Sequence, residues 1–100
     1  MNAAPIQSWL AFADGRRFDL TGSASMGRAP ENSLVLTDEQ ISRRHAIIQA
    51  QGAGEFWLVD LGSANGTYVN GRRVTQPQAL HRGDVIRLSG VEMEFHSEIL

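Results

Sequence analysis

A chain of 100 residues, 42% hydrophobic and 20% charged, is long enough to pack one core and too short for two ordinary ones. The absence of cysteine excludes a disulfide framework and any thiolate metal site. Nine basic residues, all arginine, against eleven acidic ones leave a formal charge of −2, which argues against a polybasic surface for nucleic acid or anionic lipid.

Met1 to Leu10 has neither the basic start nor the long apolar block of a secretory signal, and no stretch approaches the ~20 apolar residues that span a bilayer. The sequence therefore predicts a cytoplasmic protein that does not engage a membrane. No repeat or low-complexity tract divides it, so one domain over residues 1–100 is expected. In chain order, Phe18 and Leu20 alternate around Asp19, Phe56 and Leu58 lead to Asp60, and Val91, Met93 and Phe95 alternate around Glu92 and Glu94. This period of two predicts strands with one buried face. Between the apolar runs stand Asp14-Gly15, Gly52-Ala53-Gly54, Asn65-Gly66, Asn70-Gly71, Arg82-Gly83-Asp84 and Ser89-Gly90, each suited to a tight reversal. Arg72 and Arg73, just after an Asn-Gly signal, are expected at the exposed start of a strand. Many short strands punctuated this way indicate an all-β sandwich or barrel.

Residues 37–52 support two readings. Thr37-Asp38-Glu39-Gln40 has the form of a helix capping box, and Ile41, His45 and Ile48 recur at helical spacing until Gly52. Against that, Ala46, Ile48 and Ala50 alternate, and neighbouring strands need a partner. The expectation is a loop through about Arg44 and a strand from Ala46 to Gln51.

Three polar, turn-rich islands stand out: Met26-Gly27-Arg28, Ile41-Ser42-Arg43-Arg44-His45, and Asp60 through Gly71. In this order and at these separations, with Gly83-Asp84 leading into an apolar strand, they resemble the forkhead-associated (FHA) domain, a phosphothreonine-reading module. The resemblance runs from about Phe18 to Phe95, with a motif-bearing core of about 18–96. It implies a β-sandwich of about eleven short strands with a ligand site in loops at one end. It also implies a non-enzymatic adaptor whose partner is a phosphothreonine-containing protein made by a Ser/Thr kinase, with no cofactor and no metal. By that resemblance Arg28 pairs with the phosphate, Ser42 donates its hydroxyl, and Arg43 supplies a second donor. A phosphate dianion favours several charge-assisted donors, and a guanidinium fork fits its oxygens two at a time. Asn65 is the family's holder of the ligand backbone, and Gln40, two residues before Ser42, is a candidate for selectivity beyond the phosphothreonine. Gly27, His45, Gly66, Thr67 and Asn70 take the family's loop-supporting positions. Many members carry a polar residue where this chain has Ala64, which leaves a backbone N–H to offer the phosphate. The family's preference for phosphothreonine over phosphoserine is expected here too.

Other readings are weaker. Ser42 and His45 with Asp60 or Asp38 contain the residue types of a catalytic triad, but no strained nucleophile elbow is present. Gly62 through Thr67 lacks the Gly-Lys-Ser/Thr ending of a nucleotide loop. His45, His81 and His96 lie far apart with no acidic partners at metal-ligand spacing. Trp9, Phe12, Phe18, Phe56, Trp57 and Phe95 fall in strand patterns and are expected to pack. Arg43-Arg44 would suit nucleic acid only on a helix over 38–51, and the acidic balance opposes it. A monomer is expected, either free-standing or as a module of a larger polypeptide. The main rival to phosphopeptide binding is a docking or self-association role that ignores phosphorylation.

Overall fold

The computed structural model describes residues 5–52 and 54–100, and among them the alternating segments form eleven strands with no helix. They are β1 (Ile6–Phe12), β2 (Arg17–Leu20), β3 (Ala24–Gly27), β4 (Leu34–Val35), β5 (Ala46–Ala50), β6 (Phe56–Asp60), β7 (Thr67–Val69), β8 (Arg72–Arg73), β9 (Gln78–Ala79), β10 (Val85–Leu88) and β11 (Val91–Ile99). Two sheets result, one of six strands in the order β2-β1-β11-β10-β7-β8 and one of five in the order β4-β3-β5-β6-β9. All pairings are antiparallel except β3 with β4. The architecture is all-β, as the turn spacing predicts, and of the sandwich and barrel that spacing leaves open it is the sandwich that the resemblance implies.

Every second residue of the central strands points between the sheets. Leu10, Ile86, Leu88, Met93 and Phe95 line one side, and Met26, Ala46, Ile48, Phe56 and Leu58 the other. Phe56 meets Phe95 edge-on across the gap, with ring centroids 5.9 Å apart. Each fully buried Leu, Ile or Phe side chain contributes about 1.5–3 kcal/mol relative to exposure, so the core can hold the long irregular loops between strands in place. Among the described residues no helix is long and apolar enough to cross a membrane.

The strand over 46–50 settles the two readings of residues 37–52, with the boundary one residue short of Gln51 and Ala50 exposed. The capping-box residues make an Asx turn instead: Asp38 Oδ1 accepts the Gln40 N–H at 2.8 Å and the Asp38 carbonyl accepts that of Ile41 at 3.0 Å. The helix-like recurrence of Ile41, His45 and Ile48 arises because a loop and then a strand each send a side chain into the core, where exposure is 1% or less. With no helix there, the arginine pair lacks the scaffold that the nucleic-acid reading needs. The Asn70-Gly71 turn has positive φ at both residues, 51° and 82°, the geometry that matches strand twist in a two-residue hairpin. Arg72 and Arg73 follow it as an exposed edge strand, as expected.

Candidate functional site

The β3–β4 loop, the β5 approach and the β6–β7 loop meet at one end of the sandwich and are tied together by their own polar groups. The Arg28 N–H donates to the Ser42 carbonyl at 3.0 Å, and Arg28 Nε donates to the Ile41 carbonyl at 3.2 Å. That leaves the two terminal nitrogens of an exposed guanidinium with no hydrogen-bond or carboxylate partner among the described residues. Ser42 Oγ accepts the Ala64 N–H at 3.0 Å. With a lone pair already used, its O–H stays free to donate outward. Asn65 Nδ2 donates to the Gln40 carbonyl at 2.8 Å and to Gln40 Oε1 at 3.2 Å, which leaves Asn65 Oδ1 as an open acceptor. Arg28, Gln40, Ser42, Ala64 and Asn65 thus share one hydrogen-bonded network.

Beneath it lies a rigid base. His45 is fully buried; its Nδ1 accepts the Ser42 N–H at 3.0 Å and its Nε2 donates to the Gly66 carbonyl at 2.9 Å. These contacts suit the neutral ring with its proton on Nε2 and lock the second loop to the third. Both ring nitrogens are engaged by main chain and neither meets Ser42 Oγ, so the triad residues do not assemble. Gly27 lets the chain pass so close that a Cβ there would stand 2.2 Å from the Arg43 carbonyl oxygen. The same carbonyl accepts the Ala29 N–H at 3.1 Å, while the Arg43 side chain is exposed.

A family model described as the FHA domain matches residues 24–89, the span that holds all three loops. The chain belongs to the FHA domain family. Among curated relatives, the glycogen accumulation regulator GarA of Mycolicibacterium smegmatis is 42% identical over 82 residues, covering 81% of this chain and 51% of its own length. The oxoglutarate dehydrogenase inhibitor of Corynebacterium efficiens is 43% identical over the same share of this chain and 56% of its own. The chain therefore spans about half the length of these relatives. Among solved structures, an FHA domain studied for phosphothreonine-dependent interactions superposes with a TM-score of 0.86 at 38% identity, covering 94% of this chain and 99% of that one.

Two residues organise this FHA loop cluster in roles that the sequence did not suggest. Asp60 closes the third loop: Oδ1 accepts the hydroxyls of Ser63 and Thr67, each at 2.6 Å, and Oδ2 accepts the N–H groups of Gly62 and Ser63 at 3.0 and 3.1 Å. Partial burial by itself would raise the Asp60 pKa, but these four donors outweigh it and hold the carboxyl below its ordinary value of 3.8. Ser63 Oγ in turn accepts the Gly66 N–H at 3.0 Å. Asp60-Leu61-Gly62-Ser63, with glycine two and serine three residues after the aspartate, is a turn signal that could have flagged it. Asn32 is the second: its Nδ2 bridges the Ala29 carbonyl at 2.8 Å and the Arg43 carbonyl at 2.7 Å. Nothing local in Glu31-Asn32-Ser33 points to a bond across 11 residues of sequence.

The structure redirects one expected position and sets two supporting ones back from the cluster. The Ala64 N–H, expected to face the phosphate, is spent on Ser42 Oγ, because the tight third loop directs it inward. Asn70 lies apart from the cluster, donating to Asp84 Oδ1 and accepting the Val85 N–H, both at 2.9 Å, so it fastens the β7–β8 turn to the start of β10. Thr67 is fully buried and reaches the cluster only through Asp60.

Proposed function

We propose that this FHA domain is a non-enzymatic adaptor that docks an extended protein segment containing phosphothreonine, the product of a Ser/Thr kinase. The observation that carries the reading is the Arg28 guanidinium, anchored at Nε with its other nitrogens open, beside a Ser42 hydroxyl whose lone pair is already occupied. A dianion set there receives a fork and a directed O–H, charge-assisted donors worth about 1.5–3 kcal/mol each. Arg43 adds a second cation, Ala64 acts through Ser42, and the free Asn65 Oδ1 accepts an N–H of the ligand backbone. Gln40 stands next to that acceptor as the residue facing the ligand beyond the phosphothreonine. The reading gains support from a structural neighbour, Mycobacterium tuberculosis EmbR, solved in complex with a low-affinity phosphopeptide, at 32% identity and a TM-score of 0.85, covering 90% of this chain and 24% of that one. The proposed setting is the cytoplasm, as a monomer without nucleic acid, membrane or cofactor, and with phosphothreonine preferred over phosphoserine.

Arg28→Ala should abolish binding in calorimetry with a phosphothreonine peptide library hit while the thermal unfolding transition stays in place. Undiminished affinity in that variant refutes the phosphate role. A second reading, docking that ignores phosphorylation, is favoured by the missing hydroxyl at Ala64. It predicts equal affinity for matched phosphorylated and unphosphorylated peptides, whereas the first predicts that dephosphorylation removes binding.

A further inference from the structure

The outer face of the six-stranded sheet carries a second cationic feature that begins where the loop cluster ends. Tyr68 on β7 is the register partner of Arg73 on β8 and of Arg87 on β10, so the three side chains share one face. The Arg87 guanidinium lies 4.3 Å from the Tyr68 ring centroid and its Nη1 donates to the Ser89 carbonyl at 3.3 Å, leaving its other nitrogens without a hydrogen-bond partner among the described residues. Arg73 drapes over Gly66, the residue after Asn65: a Cβ on Gly66 would lie 3.0 Å from Arg73 Nε and 3.2 Å from its Cζ. Among the described residues no carboxylate comes within ion-pairing distance of either arginine, although Arg16 and Arg17 on the same molecule pair at 2.7 and 2.9 Å. Glu92 stands directly across from Arg87 in the register, yet Arg87 lies on the tyrosine ring.

We propose that Arg73, Tyr68 and Arg87 form a ledge contiguous with the loop cluster that binds an acidic stretch of the same phosphothreonine ligand. Stacking holds a guanidinium plane in place while leaving its N–H edge for a carboxylate. An extended ligand advances about 3.3 Å per residue, and strands lie about 4.8 Å apart, so carboxylates roughly three and four residues from the phosphothreonine reach the ledge. This rests on the phosphopeptide reading and adds a charge requirement at a position separate from that served by uncharged Gln40.

The test is a double-mutant cycle read by calorimetry on the whole chain. The probes are a phosphothreonine peptide with alanine flanks and two versions carrying paired glutamates, about three and four residues to its N-terminal or C-terminal side. One glutamate peptide should bind roughly three- to tenfold tighter than the alanine peptide. That advantage should fall below about twofold in Arg73→Gln/Arg87→Gln, and in each single variant should be intermediate, while the alanine peptide is bound as before. It should also shrink as salt rises, since Arg73 is exposed and Arg87 only half-buried. A parent protein blind to the glutamates, or a double variant that keeps the advantage, overturns the ledge. Arg28→Ala separates the two readings: loss of all three peptides is expected, and survival of the glutamate peptides alone refutes the phosphate cup while sustaining the ledge.

Discussion

Replacing Gly27 by alanine tests the close packing on which the loop cluster depends. Its φ lies outside the left-handed region, so alanine can adopt the local backbone, and the whole penalty is contact. The added methyl would meet the Arg43 carbonyl oxygen at 2.2 Å, Asn32 Nδ2 at 2.8 Å and the Arg43 carbonyl carbon at 2.9 Å. The Arg43 segment must retreat by about 1.2 Å to restore an ordinary carbon–oxygen contact. That retreat stretches the bonds from Arg28 N–H to Ser42, Ala29 N–H to Arg43 and Asn32 Nδ2 to Arg43, now 3.0, 3.1 and 2.7 Å. Three hydrogen bonds weakened together correspond to about 2–3 kcal/mol, or roughly a 10–20 °C drop in Tm for a domain of this size. Because Arg28 and Ser42 sit on the two segments being separated, phosphothreonine-peptide affinity should fall at least tenfold, about 1.4 kcal/mol. Denaturant unfolding and calorimetry read the two effects. Gly22→Ala is the control: nothing lies within 4 Å of its Cβ position, and it should be neutral or stabilise by about 0.4–1 kcal/mol. A Gly27→Ala protein with parental stability and affinity would refute the proposed packing.

Asp60→Asn removes the charge that holds the third loop and should destabilise by about 1.5–3 kcal/mol at neutral pH. Because the folded-state pKa of Asp60 is depressed, its contribution is present above its ordinary value of 3.8 and is lost as pH falls through the lower folded value. The gap between parent and Asp60→Asn should therefore close on acidification; a gap that widens below that value contradicts the assignment. Ser89 adopts φ 54° in the β10–β11 turn, so Ser89→Gly should be neutral or gain up to about 0.5–1 kcal/mol in chemical denaturation, and a clear loss would show that its hydroxyl matters. Phosphopeptide affinity should decline as pH drops through about 6, where a phosphate monoester gains its second proton. A flat profile between about pH 8 and 5 is incompatible with a dianion-centred cup.

Much of the fold was legible locally. Alternation in Phe56–Asp60 and Val91–Phe95 marks strands because a pleated chain buries every second side chain, and Asn70-Gly71 marks a hairpin because both residues tolerate positive φ. The three islands located the loops that gather at one end of the sandwich. Their ligand roles still rest on the proposed binding experiments.

What the chain could not show by itself is whatever depends on partners distant in sequence. Thr37 to Gln51 carries one set of signals for two conformations, since an Asp side chain can accept an N–H two residues on in an Asx turn as readily as it caps a helix. The choice falls to tertiary pairing: β5 gains hydrogen-bonded neighbours on both sides in β3 and β6, and Ile41 gains a place in the core. The inward turn of the Ala64 N–H, the Asn32 bridge and the Gly27 approach likewise exist only once separate loops are pressed together. Sequence determines which groups each loop carries; packing decides which of them are consumed in holding the loops and which, like the outer nitrogens of Arg28, are left facing out.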